Sequence, residues 1–376
     1  LSHLVQLGRP VTVVSRNRCA LPSWAMGPGA RPVRWLTTPM PLPDSRTLGA
    51  SVGRWATWTR TIAKLLWRRL VAAFVTHRQP PTLAIHNAFP VPGTYTHRLF
   101  HRAPRRMLIV HSAPDVVMSF LRRSRSLTLA GVVADLERTD ALAFVSPQVR
   151  DAWAATADIA RIPQWILPNT CREDAAAALV DANRRQLRER LDLPPDAFLA
   201  ACVGYVGEGK GQDVLVEALP SMVRTTPNVL VMVVGNDRSG FAAQLRGRIE
   251  TLQLAGRVRF MGQRPDPYAL IRAADLLVHP SRSEGQGLVI LEAMLLGTPI
   301  LASDVGGIPS CITHGESGWL VRPNDPRALA DAFDRLAPDA ALRDRLSRRA
   351  AEVYAERFSQ REYAKRFEAM FRHFGF

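Results

Sequence analysis

Short apolar runs alternate with amphipathic stretches through the second half of the chain. The spacing predicts helices over 211–224, 241–255 and most of 327–376. Short apolar strands that alternate with helices indicate a parallel sheet covered on both faces. The predicted strands of this half are FLAACVGYV, VLVMVVG, RVRFMG, DLLVHP, TPILAS and GWLV.

The first half shows the same alternation less regularly, with candidate strands VTVVS, TLAIHN, RMLIVHS and ALAFVS. Ligands collect at the carboxyl ends of parallel strands, so His86, His111 and Ser146 are expected on the ligand side. Residues 20–50 are predicted to form a long loop, and residues 163–185 to connect the halves. The chain opens with what resembles a helix end before a second strand, so a first strand and its glycine loop are expected to be missing.

Length and composition favour a two-domain protein of the cytoplasm. The chain has 376 residues, which is comfortable for two domains. It contains no apolar run long enough to span a bilayer and no recognisable signal peptide. The four cysteines form no CxxC pair, which argues against a disulfide framework and a structural zinc site.

Positive charge is concentrated in the first half. Residues 1–170 contain 22 Lys+Arg and 7 Asp+Glu, a net +15, whereas residues 171–376 contain 27 and 26, a net +1. The imbalance points to an anionic substrate or an anionic surface, such as a membrane, although a merely basic solvated surface also explains it. Tryptophans and arginines at helical spacing over residues 54–75 fit either an interfacial helix or a core helix.

The segment PSRSEGQGLVILEAM, residues 280–294, follows a predicted strand and opens a predicted helix. Free backbone N–H groups and the dipole at such a helix start form an anion site that suits a diphosphate. Gly285 and Gly287 allow a ligand to approach the backbone closely. Glu284 and Glu292 can each accept paired hydrogen bonds from sugar hydroxyls. An ordinary strand, loop and helix with solvated acids explains the same spacing.

A second phosphate-type position lies in GYVGEGKGQD, residues 204–213, where a strand gives way to a helix. Lys210 occupies this position. Only three of the 49 Lys and Arg residues of the chain are lysines, so the general composition does not explain a lysine here. The motif is not a Walker loop, because GxxxxGK[ST] is not matched. A surface lysine in a turn is the alternative.

The ordered set GYVGEGKG, VVG, VRFMG, ADLLVHPSRSEGQGLVILEAM, GTPILASDVGGIP and SGWLV resembles the retaining nucleotide-sugar glycosyltransferases of family 4. The resemblance covers residues 198–376 and extends more loosely to LIVHSAPD, AFVSPQVRDAW and ILPNT. It implies an α/β GT-B fold, with two Rossmann-like domains facing across a cleft. The expected parts are an acceptor-side domain over 1–170, a nucleotide-sugar-binding domain over 171–355, and a C-terminal helix over 356–376 that packs back on the first domain.

The resemblance also implies an enzyme that moves a hexosyl or related group, with retention, from a nucleotide-diphosphate sugar to a glycan or lipid-linked acceptor in cell-envelope or exopolysaccharide synthesis. Lys210 would hold the donor diphosphate, Glu292 the ribose and Glu284 the transferred sugar, with His111 near the reacting centre. The other donor-binding positions are Tyr205, Gly285, Gln286, Gly287 and Leu288, and the acceptor-side candidates are His86 and Asn87. No cofactor or metal is expected, since the nucleotide sugar is a co-substrate and no DxD-type motif lies near the site.

The sequence departs from the family pattern at three places. Tyr205 stands where the family usually has an arginine that partners the lysine on the diphosphate. Gln286 replaces the usual aromatic residue between the two glycines of the Glu284 loop. The family's glycine-rich loop after the first strand is absent.

Three rival functions are weighed against transfer. A non-catalytic sugar-nucleotide-binding or scaffold protein explains Tyr205 and would bind donor without turnover. A UDP-sugar epimerase of the same fold would form product without any acceptor. A nucleic-acid binder would use the basic half, but no recognised nucleic-acid-binding motif is present, so nucleic acid is not an expected partner. Anionic lipid at the inner face of the cell membrane remains an expected partner of the basic half.

Overall fold

A computed structural model describes residues 12–15, 34–37, 84–86, 105–121, 128–237 and 240–374, the first three segments as backbone strands alone. The chain divides into two compact units. One consists of Leu1–Ile109 and Ser126–Leu142, and the other of Val110–Arg125 and Ala143–Phe376. The predicted domains, with their boundary at residue 170, stay a prediction.

The described part of the chain alternates strands and helices. The strands are β1 Thr12–Ser15, β2 Arg34–Thr37, β3 Ala84–His86, β4 Arg106–Val110, β5 Ala141–Phe144, β6 Gln164–Ile166, β7 Phe198–Val203, β8 Val229–Val234, β9 Val258–Gly262, β10 Leu276–His279, β11 Ile300–Ser303 and β12 Trp319–Val321. The helices are α1 Pro114–Leu121, α2 Leu129–Glu137, α3 Pro147–Ala154, α4 Glu173–Val180, α5 Arg184–Arg190, α6 Gln212–Thr225, α7 Phe241–Thr251, α8 Pro267–Ala273, α9 Leu288–Leu295, α10 Pro326–Leu336, α11 Ala340–Arg357 and α12 Gln360–His373.

The last six strands form one parallel sheet in the order β12-β11-β10-β7-β8-β9. Side chains of β7 alternate between its two faces. Leu199 and Ala201 pack with the apolar residues of α4, α5, α8, α9 and α11. Ala200 and Cys202 pack with those of α6, α7 and α10. The predicted parallel sheet with helices on both faces is therefore present.

The earlier strands form a four-stranded sheet in the order β3-β4-β5-β6 and a separate parallel pair, β1-β2. Every described residue of β5 is buried, as expected for a strand covered on both faces. α3 follows β5 directly: Ser146 caps its first turn by accepting a hydrogen bond from Val149 N at 3.2 Å, and Pro147 occupies the first helical position.

Two sequence-based predictions need correction, one over residues 20–50 and one over 241–255. The predicted loop over 20–50 contains β2, which pairs with β1. The segment 163–185 contains β6 and α4, with Leu167 N donating to Phe144 O at 2.8 Å, and its role as the connection between the halves stays a prediction. The helix predicted over 241–255 ends at Thr251, since Gln253 adopts a positive φ of 59° that a helix cannot accommodate.

Other predictions fall wholly or partly outside the described residues. These include the helix over 54–75, the start of the chain and Cys19. The cysteines Cys171, Cys202 and Cys311 are free and buried. The ring of Trp165 in β6 contacts His373 and Phe374 at the end of α12. No helix among the described residues is long and apolar enough to cross a membrane.

Candidate active site

The connections of the six-stranded sheet reverse direction between β7 and β10. These strands are neighbours, yet the chain leaves β7 toward α6 on one face and β10 toward α9 on the other. The two loops therefore diverge and leave a crevice, and open α/β sheets bind ligands at such a switch point. The loops are those of the two sequence motifs, residues 204–213 and 280–294.

Gly211 brings Lys210 against the end of β10. Lys210 ends a 3₁₀ turn, Glu208–Lys210, and Gly211 follows it with a φ of 66° before α6 begins. A Cβ atom on Gly211 would lie 1.9 Å from the carbonyl oxygen of Pro280, so a side chain is excluded there. The approach is held by Arg282 N, which donates to Gly209 O at 3.0 Å.

One carboxylate oxygen of Glu284 collects three donors. Its Oε1 is paired with Nζ of Lys210, lies 2.7 Å from Nε2 of His279 and accepts from Oγ of Ser281 at 3.0 Å. Glu284 is 9% exposed and His279 is 2% exposed. A carboxylate buried to this extent needs such partners, because desolvation alone would neutralise it. No described residue donates a hydrogen bond to the second oxygen, Oε2.

The Glu284 side chain is a carboxylate at neutral pH. Burial by itself raises its pKa, but the hydrogen bonds from His279 and Lys210 and the charge of the Lys210 ammonium outweigh burial and hold the pKa well below its ordinary value of 4.5. Because the pKa is lowered on folding, the stabilisation is complete above the ordinary pKa and is lost as the pH falls through the folded-state pKa.

The loop from Glu284 to Gly287 lies against the ends of β4 and β5, within the same compact unit. A Cβ atom on Gly285 would lie 1.8 Å from the carbonyl oxygen of His111. Oγ of Ser146 donates to Gly285 O at 2.8 Å. Two strand-end residues predicted on the ligand side, His111 and Ser146, therefore contact this loop. Burial lowers the pKa of the His111 imidazole, so its neutral form is favoured.

Gln286 points its side chain away from solvent and fastens the loop to the segment after β6. Its Oε1 accepts a hydrogen bond from Asn169 N at 2.7 Å, and the residue is 3% exposed. The backbone donor fixes the orientation of the amide, since the opposite orientation would place two N–H groups together. Among the residues that the structure describes, Nε2 of Gln286 has no hydrogen-bond partner.

Two exposed side chains border the crevice. Tyr205 is 47% exposed and Leu288 is 52% exposed. Nζ of Lys210 lies 5.3 Å from the centre of the Tyr205 ring. Leu288 is the first residue of α9, and no side chain in the described part of the chain caps the helix start at Gly287. The first N–H groups of an uncapped helix are suited to an anion.

The pKa of Glu292, in the middle of α9, is shifted in the opposite direction to that of Glu284. Burial raises its pKa to about 7, and a hydrogen bond from Tyr268 offsets only part of that rise. The Glu292 carboxyl therefore titrates near neutral pH, whereas that of Glu284 is ionised there. The two carboxylates named in the sequence motif are thus chemically distinct.

We expect Glu292→Gln to change the pH dependence of folding stability. Between its ordinary pKa of 4.5 and about 7, folded Glu292 keeps a proton that the unfolded chain has lost, so stability falls as pH rises through this window. Glutamine does not titrate. The free energy of unfolding of Glu292→Gln in urea should therefore rise relative to that of wild type by on the order of 2 kcal/mol between pH 5 and pH 8. The same stability difference at both pH values would contradict the raised pKa.

The sequence profile of the family described as glycosyl transferases group 1 matches residues 183–353, which contain both motifs. This segment belongs to the group 1 glycosyl transferases. Among relatives of the group 1 segment, the D-inositol 3-phosphate glycosyltransferase of Corynebacterium diphtheriae is 35% identical over 196 residues. The match takes in 50% of this chain and 45% of that relative, so the chain spans about half the length of the curated protein.

Solved structures extend the likeness to almost the whole length of the chain. HepE of Anabaena in complex with UDP and glucose has a TM-score of 0.71 at 20% identity, covering 99% of this chain and 94% of that one. Sucrose-phosphate synthase of Thermosynechococcus elongatus has a TM-score of 0.71 at 24% identity, covering 99% and 91%. At such identities the likeness concerns the fold, and it confirms the predicted GT-B fold.

The crevice between the loops that follow β7 and β10 brings together most of the predicted site residues. Lys210 and Glu284 are in contact, Tyr205 lies beside Lys210, and His111 lies against Gly285. Glu292 lies on the helix that the same loop opens. The backbone of His86 ends β3, and Asn87 lies outside the described residues.

Sequence reasoning missed His279 and Ser281, which bind the same oxygen of Glu284. Both could have been selected from the sequence, because His279 ends β10, Ser281 follows it by two residues, and ligands collect at strand ends. In the described part of the chain, no group of three or more His, Cys, Asp or Glu side chains is placed to hold a metal ion.

Proposed function

We propose that this protein is a family 4-type glycosyltransferase. It moves a sugar from a nucleotide-diphosphate sugar to a glycan or lipid-linked acceptor in cell-envelope or exopolysaccharide synthesis, with retention at the anomeric carbon. The observation that carries the proposal is the Lys210–Glu284 pair at the switch point. The Lys210 ammonium contacts Oε1 of the Glu284 carboxylate, and no described residue donates a hydrogen bond to Oε2. The D-inositol 3-phosphate glycosyltransferase relative and the fold shared with a UDP- and glucose-bound protein support it.

Breaking the sugar–phosphate bond places negative charge on the leaving diphosphate. The Lys210 ammonium and the first N–H groups of α9 stabilise that charge in this proposal, because both are held in place before the reaction begins. The side chain of Lys210 packs along Gly204, where a Cβ atom would lie 3.7 Å from Cε of the lysine. Tyr205 supplies a ring beside the ammonium, at the position where the resemblance to family 4 implies an arginine.

The transferred sugar binds Glu284 in this proposal. Oε1 is committed to Lys210, His279 and Ser281, which fix the carboxylate, and Oε2 accepts a sugar hydroxyl. Glu292 accepts the ribose hydroxyls one turn into α9. His111 lies at the reacting centre, and attack from the front face lets the leaving phosphate take the acceptor proton. The nucleotide sugar is the co-substrate, and no cofactor or metal is assigned to the site.

A panel of UDP-, GDP-, ADP- and dTDP-glucose, scored by thermal shift, tests the donor half of the proposal. A ligand present at about 100 times its Kd stabilises the folded state by about 2.7 kcal/mol, which raises Tm by several degrees. The best ligand is then incubated with and without candidate acceptors. Donor binding without turnover would indicate a binding protein, and product without acceptor an epimerase. No shift with any nucleotide sugar would contradict the proposal.

We further place the protein in the cytoplasm, in reversible contact with the anionic inner face of the cell membrane. The net +15 of residues 1–170 supports this, since each basic side chain near such a surface contributes roughly 1 kcal/mol. We expect co-sedimentation with vesicles that contain anionic lipid and loss of binding as salt rises past physiological strength. Equal sedimentation with neutral vesicles would contradict an electrostatic contact.

A further inference from the structure

The guanidinium of Arg282 joins the loops that follow β7, β10 and β12. Arg282 itself lies in the loop after β10, two residues before Glu284. Its Nη1 and Nη2 donate to the two carboxylate oxygens of Asp213 at 2.8 and 2.6 Å. Nε and Nη2 also donate to Oδ1 of Asn324 at 3.0 and 2.8 Å, and Nη1 donates to the backbone oxygen of Glu208. These five hydrogen bonds account for all five N–H groups of the guanidinium.

Two of the acceptors belong to the turn that carries Lys210 and to the helix that follows it. Glu208 begins the 3₁₀ turn that Lys210 ends, and Asp213 lies in the first turn of α6. The next carbonyl of the turn, that of Gly209, accepts from the backbone N–H of Arg282 at 3.0 Å. One residue of the β10 loop thus holds two successive carbonyl oxygens of the turn, one through its side chain and one through its backbone.

The side chains of the Arg282–Asp213 pair are both partly exposed. An ion pair in such a place contributes little to folding stability, because solvent screens it. Two parallel hydrogen bonds between a planar guanidinium and a carboxylate nevertheless restrict the orientation of both partners. The contacts of Arg282 are therefore suited to fixing the shape of the turn more than to stabilising the fold.

We propose that Arg282 is a positioning residue for Lys210: its guanidinium fixes the turn Glu208–Lys210 so that the ammonium faces the diphosphate of the donor. The inference rests on the proposed function, which gives Lys210 its diphosphate partner. The stem of a lysine is flexible, so the position of its ammonium depends on the backbone from which it extends. A turn that shifts would move the ammonium away from the phosphate, and the attraction between two charges weakens as their separation grows.

The test compares UDP with UDP-glucose in calorimetric titrations at pH 8. The terminal phosphate of UDP carries about one more negative charge than the diester of UDP-glucose, because its second pKa is about 6. UDP therefore resembles the leaving group and depends more strongly on the Lys210 ammonium. If the thermal-shift panel selects another base, the diphosphate and the glucose derivative of that base replace this pair.

Arg282→Lys keeps the positive charge and loses the planar fork. We expect its affinity for UDP to fall about five- to tenfold, at or below the roughly 10- to 100-fold cost of losing one charge-assisted hydrogen bond entirely. Its affinity for UDP-glucose should fall about twofold, because less charge faces the ammonium. Asp213→Asn breaks the same fork from the other partner and should reproduce both losses. In a Lys210→Ala background, Arg282→Lys should cause no further loss, because the guanidinium acts through the lysine.

Arg248→Lys is the matched control. Arg248, on α7, forms the same two-pronged pair with Glu217 of α6, with N–O distances of 2.6 and 2.7 Å. Neither residue belongs to the loops that border the crevice, so this variant should keep wild-type affinity for UDP and for UDP-glucose. Urea unfolding of each variant identifies a general loss of packing.

The outcomes separate this inference from the function on which it rests. Wild-type affinities in Arg282→Lys, equal losses for UDP and UDP-glucose, or a loss that persists in the Lys210→Ala background would each overturn the positioning role. Wild-type affinity for UDP in Lys210→Ala overturns the diphosphate assignment of Lys210 itself. A loss that is larger for UDP and absent from Arg248→Lys supports the inference, and failure of every nucleotide sugar to bind overturns the proposed function.

Discussion

Lys210→Ala is expected to lower kcat for sugar transfer by about 10²- to 10³-fold, the range seen when one fixed electrostatic partner of a developing charge is removed. The Lys210 ammonium contacts Glu284 in the crevice and is oriented by Gly211 behind it. Its charge faces a diphosphate whose negative charge grows in the transition state, so kcat should fall more than acceptor affinity. Steady-state kinetics with the best donor of the panel measure the effect.

The chain provides a control for the loss of a lysine. Lys365, on α12, pairs with Glu362 on the surface and has a 61% exposed side chain. Lys365→Ala should leave kcat unchanged, because a pair this exposed contributes little. Lys210→Arg should restore only part of the activity, since a planar guanidinium does not occupy the place of a compact ammonium. Turnover of Lys210→Ala near the wild-type value would refute the diphosphate role.

Gly285→Ala is expected to damage both stability and turnover. The added Cβ atom would lie 1.8 Å from the backbone oxygen of His111, and a backbone atom cannot move aside as a flexible side chain can. Separating the two segments should lower the free energy of unfolding by about 1–3 kcal/mol. It also displaces Glu284 from its donors, and a shift of about 1 Å at a reacting centre can cost about 10²-fold in rate.

Gly247→Ala distinguishes the steric effect at Gly285 from the general effect of adding a methyl group. Gly247 lies inside α7, and nothing lies within 4 Å of its added Cβ atom. Alanine in a helix interior is favoured over glycine by roughly 0.5–1 kcal/mol, so this variant should unfold at higher urea with normal turnover. Equal stability of the Gly285→Ala and wild-type proteins would show that the loop and His111 are not packed as described.

The sequence by itself determined the alternation of strands and helices in the second half. Runs such as VLVMVVG are apolar at consecutive positions, which suits a strand covered on both faces, and β8 is indeed buried along its whole length. Lys210 and Glu284 could also be selected from sequence, since each stands where a strand gives way to a helix. The GT-B fold was implied by the resemblance to family 4 that the order of these motifs carries.

Short elements were harder to predict, because periodicity needs several residues to appear. β6 has only three residues, and all are half-buried, so no alternation distinguishes it from a connection. β2 has four residues within a Pro- and Gly-rich stretch, and its pairing with β1 depends on a partner elsewhere in the chain. Local composition favoured a loop over residues 20–50, and the pairing of β2 with β1 overrode it.

Only the tertiary structure decided how the charged groups are coupled. Lys210 and Glu284 are 74 residues apart, and they meet because β7 and β10 are neighbours in the sheet. The sequence showed two similar carboxylates in one motif, but the hydrogen bonds from His279 and Lys210 lower the pKa of Glu284 against the effect of burial, whereas burial leaves the pKa of Glu292 raised. Strand order and burial arise from packing over the whole sheet, so local patterns identify the reactive residues but not the partners that set their charge.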